Sequence, residues 1–268
     1  VSSDAARHFA GYAGEYRRFR PGYPDVLFER LVELAPRPGR VWECGAGSGQ
    51  ATGGLATRFG EVIATDVARR QLERAPETPR VRRVVCAAER APLRGASVDL
   101  VVVAQALHWF DAEAFAAEVR RVGRPDAILA VWAYGLPTVC VAIDRVLMRL
   151  HDDVLDACWR PERRHVVSSY ETLPVPLPAL VVESYALEKR WTLERFLGYV
   201  GTWSAVREYA ERHGGADAVA IVRDDLAGAW PGGAEAEARV RWPLTLRAYT
   251  VAAGPRRRRP VEGVSAGR

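Results

Sequence analysis

The chain has 268 residues, 49% of them apolar, enough to bury one large core with a smaller lobe appended. No run approaches the ~20 consecutive apolar residues of a membrane span, and the first residues, VSSDAARHFAGYAG, lack the basic-then-apolar order of a secretion signal, so a soluble, cytoplasmic protein without membrane partners is expected. The formal charge of +5 is concentrated after Ala252, where Arg256, Arg257, Arg258, Arg259 and Arg268 face only Glu262; about +1 is left for the rest, which argues against a nucleic-acid partner.

The first predicted element is an aromatic and basic arm, HFAGYAGEYRRFRPGYP, followed by a helix, PDVLFERLVEL, with Pro24 near its first turn and Pro36 and Pro38 ending it. From Arg40 to Gly135 short apolar runs alternate with helical patterns. The runs are VWECG (41–45), EVIATDV (61–67), VRRVVCA (81–87), VDLVVVAQ (98–105) and AILAVWAY (127–134); the helical segments are QATGGLATRF, ARRQLERA and DAEAFAAEVRRV. Such alternation predicts an open α/β sheet that binds its ligand at the carboxyl ends of the strands. After Gly135 come a helix around Val139 to Leu150, a proline-punctuated stretch ETLPVPLPAL and a strand ALVVESYALEKRW. Two or three helices then run from Thr192 to Trp230, before a final strand VRWPLTLRAYTV and a solvated, disordered basic tail. Cys44, Cys86, Cys140 and Cys158 form no CxxC pair, so reduced, packed thiols and no metal site are expected.

The chemistry centres on RVWECGAGSGQ (40–50). A nucleoside-triphosphate loop is excluded, because it needs a lysine and the only lysine in the chain is Lys189. A dinucleotide loop wants glycines at positions one, three and six, whereas Gly45, Gly47 and Gly49 occupy one, three and five. Glu43, two residues before the first glycine, suits a ligand that brings an ammonium group and a ribose and no pyrophosphate. Asp66, at the end of the next strand, lies close to the ~20-residue spacing at which a carboxylate meets ribose hydroxyls. It is equally placed to cap the helix that follows, and the two roles compete for the same oxygens.

With VWECGAGSGQAT, VIATDV, AAERAPLRGASVDLVVVAQALHWFD, WTLERFLGYVGTWSAVREY and RWPLTLR in this order, the sequence resembles the class I S-adenosylmethionine-dependent methyltransferases. The likeness is greatest to their small-molecule branch, which includes trans-aconitate-type enzymes, and it extends to about Val251. The resemblance implies a Rossmann-like α/β fold: a seven-stranded, mostly parallel sheet with helices on both faces, the last strand antiparallel, and a mainly helical cap. It divides the chain into an arm and helix closing over the cofactor (1–39), the S-adenosylmethionine-binding core (40–135), cap insertions plus final strands (136–251) and the tail (252–268). Residue by residue, it implies Glu43, Gly45, Gly47 and Gly49 at the methionine part, Asp66 at the ribose, and Ala88 and Glu89 beside the adenine. Gln105 would meet the methionine tail from its other side, with Tyr16 and Arg20 closing from the arm. The family often has an acid where this chain has Ala87.

Methyl transfer onto a small organic acceptor, at oxygen, nitrogen or carbon, is the expected activity. A histidine near neutral pH is the natural base for a hydroxyl, amine or carbon acceptor. His108, after the fourth strand, and His151, after the fifth, are the candidates, although HWF recurs in the branch regardless of acceptor, which suits an orienting duty. Most of the aromatics of the interrupting segments, Tyr134, Trp159, Tyr170, Tyr199 and Trp203, are expected to pack in the core, with others lining an apolar pocket under a largely uncharged, aromatic cap. The arginine-rich composition is compatible with a role in secondary metabolism. Rival readings are an NAD-dependent oxidoreductase, a non-catalytic cofactor binder and an RNA methyltransferase. Against the first stand the glycine spacing and the lack of a Tyr-x-x-x-Lys arrangement, and against the last the near-neutral body and AQALHW after the fourth strand.

Overall fold

A computed structural model describes residues 18–75 and 77–251. Its strands are β1 (Arg40–Cys44), β2 (Glu61–Asp66), β3 (Val81–Val85), β4 (Val98–Ala104), β5 (Gly123–Tyr134), β6 (Ala179–Trp191) and β7 (Ala238–Thr250). They form one sheet in the order β3-β2-β1-β4-β5-β7-β6. The first five pair in parallel, and β7 runs antiparallel between β5 and β6. This is the Rossmann-like seven-stranded sheet that the resemblance implies, with its antiparallel last strand.

Period-two alternation explains how one sheet serves two cores. In β5, Ile128, Ala130 and Trp132 face one core while Leu129, Val131 and Ala133 face the other. Leu100 and Val102 of β4 likewise oppose Val101 and Val103. In β7 buried Val240, Trp242 and Leu244 alternate with exposed Arg239, Arg241 and Pro243, so the antiparallel side of the sheet is covered on one face.

Helix α1 (Asp25–Leu34) precedes β1, α2 (Thr52–Ala56) follows it, α3 (Arg69–Leu72) follows β2, and α4 (Ala112–Val122) leads into β5. Asp111 caps α4 by accepting from the Ala114 amide at 3.0 Å. Two expected helices are shorter than their patterns. Gly53 and Gly54 weaken α2, and α3 gives way to three-residue turns, Arg74 donating to Gln71 and Ala75 to Leu72. Beyond β5 lie α5 (Val141–Met148), prolonged by a π-helical turn (Arg149–Val154), and α6 (Arg163–Val167). Between β6 and β7 lie α7 (Leu193–Gly201), α8 (Ser204–Arg212) and α9 (Arg223–Ala229).

Strand order reverses between β1 and β4, and a crevice opens there at their carboxyl ends. At the opposite ends, buried Asp99 accepts from the Arg40 amide at 2.8 Å and from Arg124 at 2.5 Å, which fixes β1 against β4 and β5. The four cysteines are free thiols. Among the described residues no helix is long and apolar enough to cross a membrane.

Candidate active site

Beyond Cys44 the chain turns through Gly45, Gly47 and Gly49, all with positive φ (68°, 57° and 85°). At Gly45 both conformation and space demand glycine. A Cβ there would lie 2.6 Å from the Ala106 Cβ and 3.2 Å from the Phe110 ring, so the loop sits directly against the segment after β4. The Ala46 amide donates to the Thr65 carbonyl at 2.9 Å and the Gly47 amide to Asp66 Oδ2 at 2.9 Å, tying the loop to β2. Asp66 Oδ1 accepts from the Ala68 amide at 2.8 Å, a turn just before α3, whose N-cap, Ala68, has no side-chain cap. The Val67 amide also acts on this carboxylate, and Asp66 still lines the cavity above the loop.

Glu43 is buried on β1 (1% exposed). Its Oε2 accepts from the Thr52 hydroxyl at 2.6 Å, while Oε1 is buried with no hydrogen-bond partner. Burial, with the Asp66 charge adding to it, pushes the Glu43 pKa up to about 8. An orphaned carboxyl oxygen beneath a cavity is an open invitation to a cation.

The cavity encloses about 920 Å³. Glu43, Gly45, Gly47, Asp66, Ala88 and Gln105 line it from the sheet, Trp109 and Phe110 from the side, and Arg20 and Tyr23 from the arm. Gln105 is held in the left-handed region (φ 59°), its amide donating to Trp132 and its side chain to the Tyr134 carbonyl. Arg20 donates to the Thr202 hydroxyl at 2.8 Å and to the Tyr134 hydroxyl at 3.1 Å. Gly49 and Glu89 are not among the lining residues; the Glu89 carboxylate accepts from the Asp111 amide at 3.1 Å instead. Tyr16 lies outside the described residues. Gln71, Cys86 and Tyr134 also line the cavity and were not singled out from sequence for this space. Tyr134 had the detectable signal, since it ends β5 at the same carboxyl edge.

A second chamber of about 570 Å³ shares Arg20, Gln105 and Trp109 with the first. His108 lines it, with Arg160, Arg163 and Arg207 from the cap. A smaller cavity of about 280 Å³ adjoins, where Arg20 and Arg163 meet Tyr134, Trp159, Tyr199 and Trp203. Four of the expected aromatics line it, whereas Tyr170 lines none of the three cavities and packs in the core, and the expectation of an uncharged cap is corrected. Folding brings the turn Asp156–Cys158 against α8, and Arg160, Arg163 and Arg207 converge on one space although more than 40 residues separate the first two from the last in the chain.

His108 Nδ1 lies 3.2 Å from the Tyr170 hydroxyl, and the rings stack at 6.0 Å. Burial, with Arg163 adding to it, pushes its pKa down to about 3. The imidazole is therefore neutral at physiological pH and a feeble proton acceptor. His151 lines none of the three cavities. It packs on Trp159 and Trp203, with Nδ1 2.6 Å from Asp152, and so buttresses two aromatic walls.

Comparison with known proteins gives a consistent result. A model described as a methyltransferase domain matches residues 42–131. A Dictyostelium discoideum protein named as a methyltransferase is 30% identical over 222 residues, which span 81% of this chain and 84% of that protein. An uncharacterized methyltransferase of Mycobacterium tuberculosis is 39% identical over 132 residues, 48% of this chain and 53% of its own length. Among solved structures, one named as a type II methyltransferase from Anaeromyxobacter dehalogenans is 46% identical with a TM-score of 0.81, covering 88% of this chain and all (100%) of that one.

Proposed function

The chain belongs to the class I S-adenosylmethionine-dependent methyltransferases, and from that premise we propose that it methylates a small organic acceptor held in the arginine-lined chamber beside the glycine loop. The cofactor of the family is S-adenosylmethionine, and the residues present fit it. The orphaned Glu43 oxygen suits an ammonium group, and the cavity of about 920 Å³ suits a nucleoside with an amino-acid tail. Asp66 borders the cavity at the strand end, where a carboxylate meets ribose hydroxyls. Ala88 and Cys86 offer a flat wall for a base, and Gln105 stands on the far side of the loop. Bound there, the cofactor supplies an electrophilic methyl group on a sulfonium sulfur.

The chain's own work is positioning. Arg20, Gln105 and Trp109 line both cavity and chamber, so an acceptor in the chamber adjoins the cofactor at their common border. Apolar Phe110, Tyr23 and Tyr134 exclude water from the cofactor side. His108, neutral and anchored by Tyr170, is an orienting group in this reading. The single observation that carries the proposal is that Arg20, Gln105 and Trp109 border cavity and chamber alike, which gives a small acceptor a place beside the cofactor. The test is incubation with isotopically labelled S-adenosylmethionine and, separately, fractionated small metabolites and total RNA. Label recovered in a small product supports the reading, and label confined to RNA overturns it.

A further inference from the structure

The second chamber differs from the cofactor cavity in the sign of its walls. Arg20, Arg160, Arg163 and Arg207 all line it, and among the described residues no Asp or Glu does. Arg20 is committed to Thr202 and Tyr134, as described above. Arg163 is the most telling of the other three. It lines the chamber and the smaller aromatic cavity alike, so it faces the space onto which both open. Its guanidinium rests over the Trp159 ring at 4.9 Å, and its Nε is buried with no hydrogen-bond partner. No carboxylate of the described residues pairs with it or with Arg160. Burial, with Arg20 adding to it, pulls its pKa below the usual arginine range.

A guanidinium whose Nε is buried without a hydrogen-bond partner, as in Arg163, is costly. An acid group removes this cost, since the planar fork of arginine matches the oxygens of a carboxylate or a phosphate. The adjoining walls of Trp159, Tyr199 and Trp203 offer an apolar, flat surface to whatever carries that acid. Resting on the reading that this chamber holds the methyl acceptor, we propose that Arg160 and Arg163 are specificity-determining residues that bind an acid group of the acceptor, so that the acceptor is an organic acid with an apolar or aromatic body.

The test uses the full chain, with and without saturating S-adenosylhomocysteine. Phenylacetate, phenyl phosphate and the neutral isostere phenylacetamide are titrated into it calorimetrically at low salt. The two anions are expected to bind at least about tenfold more tightly than the amide. Arg163→Gln and Arg160→Gln should each lose most of that preference, and Arg163→Lys should keep part of it. S-adenosylhomocysteine affinity should be retained in all three, because neither arginine lines the cofactor cavity. The tighter of the two anions identifies the acid as carboxylate or phosphate. Equal binding of acid and amide would overturn the proposal, as would an acid preference that survives in both glutamine variants. A short RNA oligonucleotide that outcompetes both acids in an Arg163-dependent way would overturn it too. Acid preference in a chain that fails to bind S-adenosylhomocysteine would leave the anion site standing and remove the cofactor reading.

Discussion

Glu43 sets how the cavity responds to pH. Its folded pKa of about 8 stands above the 4.5 of an ordinary glutamate, so between those values the folded chain holds a proton that the unfolded chain releases. Stability from this group is therefore full below pH ~4.5 and is lost as pH rises toward 8, at about 1.4 kcal/mol per unit of pKa difference. Urea unfolding of the ligand-free protein at pH 5, 6.5 and 8 should show stability falling by a few kcal/mol more in wild type than in Glu43→Gln. His108 gives a contrasting expectation. With a pKa near 3 it has no titration to contribute above pH 5, so kcat/KM should show no limb between pH 5.5 and 8.5 that vanishes in His108→Gln. The variant should keep turnover within about tenfold, whereas loss of a general base costs ~10²- to 10⁴-fold. Glu43 and Asp66 were legible in the sequence because strand, acid and glycines stand at fixed spacings. The second duty of Asp66, tying the Gly47 and Ala68 amides together, needed coordinates.

Two glycines separate what elements do for stability from what they do for the site. A Cβ on Gly54 of α2 would lie 2.3 Å from the Phe28 ring of α1, in the core, where overpacking costs about 1–3 kcal/mol. A Cβ on Gly198 of α7 would lie 2.2 Å from the ring of Phe19, one residue before Arg20. Gly54→Ala is expected to lower the midpoint of thermal unfolding while leaving S-adenosylhomocysteine affinity unchanged. Gly198→Ala should weaken that affinity about tenfold, because Phe19 shifts and carries Arg20, Pro21 and Tyr23 away from the cavity they roof. Thermal melts and titrations of the two variants side by side decide it. At this scale the strands were legible, since the apolar runs of β1, β2, β4 and β5 have no competing pattern. Helices α2 and α3 were overextended in the reading because helical periodicity continues past the point where glycine and three-residue turns end the hydrogen-bond ladder.

In the whole molecule, net charge is a poor guide to where charge acts. The +5 sits mostly in the tail, and the body is near neutral, yet the folded chain gathers Arg20, Arg160, Arg163 and Arg207 around one chamber. Nothing local in the sequence marks these arginines out in a chain with a single lysine, since their convergence depends on how the segment after α5 packs against α8. The cofactor side, by contrast, is built from one contiguous stretch and its neighbouring strand ends, which is why it could be read from residue order. Cofactor recognition by Glu43 is decided by calorimetric titration of S-adenosylhomocysteine and NAD into wild type and Glu43→Gln at pH 7. The predicted result is one-to-one S-adenosylhomocysteine binding with release of a proton by wild type, binding weaker by at least about tenfold in Glu43→Gln, and no NAD binding. Equal S-adenosylhomocysteine affinity in the two proteins, or binding of NAD in its place, would contradict it.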